Sequence, residues 1–120
     1  MHELSIAEDI FEMVSQNVPI DELQYVRNVK VKIGEMSGLV ADSLEFCYQA
    51  ITSETKLKDS KLLIEHIPFV VSCNSCKNNF TNKTGIRICP TCSGLDTTVI
   101  SGLELEVTEI ELDTEVQEAA

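Results

Sequence analysis

The sequence predicts an α+β fold: a small mixed α/β unit of about two helices on a three-stranded sheet, interrupted by a β-rich module of zinc-ribbon type. Three observations predict it. SIAEDIFEMVSQNVP and DSLEFCYQAI place apolar residues at helical spacing behind capping-type starts. VRNVKVKIG, KLLIEHIPFVV and LELEVTEIEL have the alternation or apolar content of strands. Between the second and third of these strands lie two C-x2-C pairs separated by twelve residues.

The first helix is expected to begin at Ser5, which with Glu8 makes an S-x-x-E capping box. Ile6, Ile10, Met13 and Val14 form its apolar stripe, and Pro19 stops it. In the strand that follows, Val29, Val31 and Ile33 alternate with Lys30 and Lys32, which calls for one buried face. GEMSGL is a turn-rich loop. The second helix repeats the capping spacing with Asp42 and Glu45 and packs through Leu44, Cys47, Tyr48 and Ile51. Cys47 reads as a buried thiol acting as a small hydrophobe.

KLLIEHIPFVV makes the next strand, with Pro68 as its boundary; His66 within it reads as structural or surface. The Ser-Gly pair at 101–102 punctuates the far side of the cysteine module. In LELEVTEIEL the apolar set slips by one position between Val107 and Ile110, which predicts a bulge or a frayed end. The expected organisation is a discontinuous α/β domain, residues 1–67 plus 102–115, a cysteine module over 68–101 and a disordered tail over 116–120.

Charge narrows the function. Lys77, Lys83 and Arg87 against Asp96 give residues 70–100 a net +2, which leaves −13 for the rest of a 120-residue chain whose formal charge is −11. Nucleic-acid binding depends on phosphate neutralisation, so this balance argues against it. The acidity serves solubility or attracts cations or a basic partner. No apolar run is long enough to cross a bilayer, and no basic segment precedes an apolar one as in a signal peptide; a cytoplasmic protein is expected. No nucleophile–base pair or paired acids stand out, so no catalytic site is expected.

Cys73, Cys76, Cys89 and Cys92 have the spacing of tetrahedral zinc, each C-x2-C closing a knuckle whose N–H groups face the sulfurs. Pro90 and Gly94 suit the second knuckle, and Asn78 and Asn79 supply the turn of the first. Four thiolates leave no open position, so a structural Zn(II) is expected. An iron–sulfur cluster is the alternative by ligand type; a disulfide framework or a dithiol redox pair fits the setting less well. Phe69, Phe80, Ile86 and Ile88 are the expected small core of a module that depends on its metal to fold.

The N-terminus carries a second metal-type signal. Met1 and His2 set an α-amine, a backbone amide and an imidazole in sequence, and together these close a five- and a six-membered chelate ring. Deprotonation of the amide suits square-planar Ni(II) or Cu(II) rather than Zn(II). Glu3 offers a fourth ligand, or simply a favourable charge at a helix N-terminus.

MHELS at the start, KIGEMSGL and SLEFCYQAI in the middle, and the paired C-x2-C motifs together resemble the hydrogenase maturation nickel chaperones of the HypA/HybF family, in order and over essentially the whole chain. The resemblance implies a metallochaperone rather than an enzyme, carrying Ni(II) to the large subunit of [NiFe]-hydrogenase and, in some organisms, to urease. It implies a nickel-handling GTPase as partner, nickel ligands at Met1 and His2 with Glu3 beside them, and zinc at the four cysteines. Some members add a carboxylate shortly after the GE-x-S segment. Here Val40 stands at that place, and the nearest acid, Asp42, reads as the cap of the second helix. A zinc-ribbon adaptor without metal delivery is the reading from another class.

Overall fold

Residues 3–17 form a helix because their small and branched apolar residues recur at helical spacing. The computed structural model describes residues 2–113, and in it α1 (Glu3–Asn17) buries Ala7, Ile10 and Val14. Ile6 is half-buried and Met13 exposed, so the buried stripe is rotated from the expected one and centred on Ala7. The expected start is also displaced. His2 is the N-cap and Glu3 opens the helix, so Ser5 lies inside the first turn and no side chain caps it. The Val18 N–H bonds the Val14 carbonyl as the helix ends before Pro19.

A short 3₁₀ turn (Leu23–Tyr25) leads into β1 (Val26–Gly34), in which Val29, Val31 and Ile33 are buried as the alternation requires. The second helix, α2 (Ala41–Thr52), buries Leu44, Tyr48 and Thr52. Cys47 is only half-buried, because the face turned to the core passes through Tyr48 and Thr52 instead. Its N-cap is Val40, and Asp42 lies in the first turn without capping it. Tyr48 is fully buried, and its hydroxyl meets Ser60 Oγ at 2.8 Å. Since the Ser60 hydroxyl donates to the Leu57 carbonyl, Tyr48 is the donor in that pair.

The remaining strands are β2 (Lys61–Ile67), β3 (Val70–Cys73), β4 (Asn79–Thr81), β5 (Thr97–Ser101) and β6 (Leu105–Leu112). They make two three-stranded sheets, ordered β2-β1-β6 and β4-β3-β5. In the first sheet the Gly34 N–H bonds the Glu104 carbonyl and the Asp113 N–H bonds the Tyr25 carbonyl, so β1 and β6 run in opposite directions. Burial along β6 changes phase after Val107, as the slipped apolar pattern requires, yet the strand runs unbroken for eight residues. Its acids meet partners on β1: Lys30 Nζ lies 2.8 Å from Glu109 and 3.6 Å from Glu111.

In the second sheet β3 pairs antiparallel with both neighbours, and the β3–β5 register shifts between Val70 and Val71. Proline at position 68 separates β2 from β3 as expected. Two compact units emerge: one of residues 1–31, 39–64 and 107–120, the other of residues 32–38 and 65–106. The first holds both helices and twelve of the buried apolar residues; the second buries Ile33, Phe69, Val71, Cys73 and Cys89.

Within the second unit, backbone packing is close at two glycines. A Cβ on Gly34 would stand 2.1 Å from the Gly102 carbonyl carbon. A Cβ on Gly102, whose φ is +110°, would stand 2.5 Å from Phe69 Cα. The turn after β4 is closed by one side chain. Asn82 Oδ1 accepts from the Thr84 and Ile86 N–H groups, and its amide donates to the Ile86 carbonyl.

Candidate metal centres

Each C-x2-C segment folds into the same tight loop. In the first, the Lys77 N–H bonds the Cys73 carbonyl at 3.0 Å and the Cys73 N–H bonds the Asn78 carbonyl at 2.8 Å. In the second, the Ser93 N–H bonds the Cys89 carbonyl at 2.8 Å and the Cys89 N–H bonds the Gly94 carbonyl at 3.1 Å. The left-handed residue sits just after the second cysteine in both, Lys77 (φ 67°) and Ser93 (φ 59°). Asn78 and Gly94, two of the turn residues expected with Asn79 and Pro90, close the knuckles through their carbonyls, and the Asn78 amide also ties the two loops together, donating to Thr91 Oγ1 at 3.0 Å. Gly94 leaves room for sulfur, since a Cβ there would lie 3.1 Å from Cys92 Sγ.

The four sulfurs converge within 4.8 Å of one another. The pairs Cys73–Cys92 and Cys76–Cys89 are each 3.6 Å apart. A zinc ion with bonds of about 2.3 Å in tetrahedral geometry requires sulfurs roughly 3.8 Å apart, so the donor set fits that ion. Cys73 and Cys89 are buried, Cys76 and Cys92 exposed.

Backbone N–H groups polarise the site. The N–H groups of Cys92 and Thr91 hold the Cys89 thiol at about 6, and those of Cys76 and Ser75 hold Cys73 below its ordinary value. At Cys92 the Gly94 N–H favours the thiolate but is outweighed by the neighbouring sulfurs of Cys73 and Cys89, which push it up to about 12. Cys76 is raised as well, its support from the Asn78 N–H being outweighed by burial and by Cys89. Two thiols favour the anion while two resist a second negative charge beside it. A central cation resolves that conflict.

The expected local core is only partly realised. Phe69 is buried and Phe80 half-buried, but Ile86 and Ile88 are about half exposed. Val71 and the buried cysteines fill the place assigned to them, because β3 turns Val71 and Cys73 to the same face.

At the other candidate centre, His2 is exposed, with extended backbone (φ −102°, ψ 124°), and its carbonyl accepts from the Ile6 N–H at 3.2 Å. Met1 lies outside the described residues. Glu3 meets a partner that sequence reasoning missed: its Oε2 accepts the Val40 N–H at 3.1 Å. That bond holds the Glu3 carboxyl below the usual carboxylate range. Glu3 thereby does for α2 what the glutamate of a capping box does, reaching the N–H of the N-cap residue, but from another helix. Val40, at the place where the resemblance points to a further carboxylate, is thus brought beside Glu3. Asp42 is exposed in the first turn of α2. His66 is exposed on β2.

A small α+β protein with four sulfurs converging at tetrahedral spacing belongs, by fold and site, to the metal-binding proteins. A family model described as "HypA: Hydrogenase/urease nickel incorporation, metallochaperone, hypA" matches residues 1–112, and the chain belongs to that family. The hydrogenase maturation factor HypA of Geotalea uraniireducens is 38% identical over 113 residues, covering 94% of this chain and 100% of the relative. That of Dehalococcoides mccartyi is 31% identical over 117 residues, covering 98% of each. The solution structure of the Ni metallochaperone HypA from Helicobacter pylori matches with a TM-score of 0.64 at 21% identity, covering 93% of this chain and 97% of that one. The last likeness concerns the fold.

Proposed function

We propose that this protein is a carrier, not an enzyme, that binds Ni(II) at its N-terminus and delivers it for assembly of the [NiFe]-hydrogenase active site, and of urease where that enzyme is present. The ligands are the Met1 α-amine and the backbone nitrogen and imidazole of His2, with Glu3 beside them. What carries the reading, within a family of nickel-incorporation metallochaperones, is the position of His2. It stands exposed immediately before α1, where helix N–H groups have no intrahelical acceptor. An amide nitrogen there can exchange its proton for a metal without breaking the helix.

The Glu3 carboxylate is engaged by the Val40 N–H through Oε2. This supports a role in shaping the site rather than in clamping the ion. An open, partly satisfied coordination sphere suits transfer, since a receiving protein can add its ligand before the carrier's leave. The receiving partners are a nickel-handling GTPase and the hydrogenase large subunit. Cys73, Cys76, Cys89 and Cys92 would hold a resident Zn(II), which neutralises the thiolates and cross-links the two knuckles. The setting is cytoplasmic; among the described residues no helix is long and apolar enough to cross a membrane.

The test is a nickel titration of the zinc-loaded protein with its native N-terminus, against a copy extended by one Gly ahead of Met1. Loss of one-to-one binding and of the square-planar spectrum on extension is expected. Identical binding by both copies would overturn the assignment and leave an adaptor without cargo.

A further inference from the structure

Leu4, Glu8, Phe11 and Glu12 follow one another at helical spacing along α1, on a different face from the buried Ala7, Ile10 and Val14. With Ile51 of α2 they line an open groove of about 500 Å³. Leu4 is 49% exposed, and Phe11 and Ile51 are half-buried. Exposed apolar side chains on a helix are ordinarily roofed by the stems of Lys or Arg one turn away. Among the described residues that line this groove none is basic, and neither α1 nor α2 contains a basic residue. Residues 1–26 carry six acids and no Lys or Arg. The groove is therefore an apolar floor with an anionic rim and no basic side chain among its described lining residues.

We infer that this groove docks a cationic amphipathic helix from a partner protein. Its apolar anchors would lie on Leu4, Phe11 and Ile51 while Lys or Arg side chains meet Glu8 and Glu12. The rim's charge decides among occupants. A second copy would bring the same acids to a self-complementary contact and be repelled. Anionic lipid and nucleic acid fail for the same reason. A small molecule would find an open, shallow wall whose polar groups are two carboxylates. The inference does not depend on the nickel assignment, since none of the five lining residues is a proposed ligand.

The test uses the zinc-loaded full chain and a synthetic amphipathic Lys/Leu helix of about 14 residues, roughly 21 Å long and able to span the groove. An equally charged Lys/Ser peptide and a Glu/Leu peptide serve as comparisons. Backbone amide shifts on adding the Lys/Leu peptide are expected to fall on residues 4–12 and around Ile51. Glu8→Gln with Glu12→Gln should weaken binding roughly three- to tenfold, as two partly exposed charge pairs would. Both changes lie on exposed positions, and the same spectra report whether the fold is kept. Shifts confined to the acidic strand 105–112, or equal binding of the Lys/Ser peptide, would overturn the proposal by showing charge attraction without the groove.

Discussion

The unit that holds both helices and the unit that holds the cysteines reach order by different means. The first buries twelve apolar residues, Tyr48 and Leu44 among the largest, and closes a buried polar pair between Tyr48 and Ser60. The second buries three apolar side chains and two cysteines. A core of that size does not offset the chain entropy of some fifty residues. What it has instead is two knuckles whose N–H groups are aimed at sulfur. One unit is held by what it hides from water, the other by what it can coordinate.

Removing the metal should separate them most sharply. Chelation of a zinc-loaded sample removes a contribution on the order of 10 kcal/mol from the cysteine unit. Amide signals of residues 65–106 are expected to collapse while those of α1 and α2 persist; simultaneous loss of both sets would break the comparison. Protons act in the same direction. Cys89, held at about 6 against an ordinary 9.0, contributes stability that is complete above the higher value and is lost as pH falls through the lower one. Since protons compete with the metal for the thiolates, metal retention is expected to weaken as pH falls, measured as zinc released to a chromophoric chelator.

The next largest effect sharpens the contrast from the other side. Gly102→Ala forces a side chain against the Phe69 backbone in a left-handed conformation that Ala resists, and should destabilise the cysteine unit by roughly 3 kcal/mol even with metal bound. A melting temperature unchanged in the zinc-loaded variant would show that the metal alone sets the structure there. Tyr48→Phe is the smallest. It removes a donor from Ser60, whose own proton is already placed on Leu57, and should cost the helical unit about 1 kcal/mol in denaturant unfolding.

Much of this was legible in the sequence, and where it was not, the reasons are physical. The alternation in β1 and the C-x2-C spacing each encode a local geometry, so Val29, Val31 and Ile33 and the four sulfurs stand where expected. Both helices start ahead of their capping patterns: Ser5 lies inside the first turn of α1, where no side chain caps, and at α2 the Val40 N–H is met by Glu3 rather than by Glu45. Glu3 reaches Val40 across 37 positions, and no window of sequence contains that bond. Ile86 and Ile88 were assigned to a core on apolarity alone, whereas the turn made by Asn82 leaves both about half exposed. The equivalent steps of the two knuckles, Cys-Lys-Asn and Cys-Ser-Gly, did hold a readable signal. Each places a left-handed residue directly after its second cysteine.

The Asn82 turn has a consequence for how the site closes. A cross-link between the knuckles must shut the twelve-residue segment from 77 to 88. For a slack segment, the entropy of that closure grows only with the logarithm of length, so a few added residues would matter little. This segment is not slack. Four hydrogen bonds to and from the Asn82 side chain reverse its direction. In the folded module the ring that a metal completes is bent by its own chain as well as by the ion, so its tightness resides in one amide side chain rather than in the number of links.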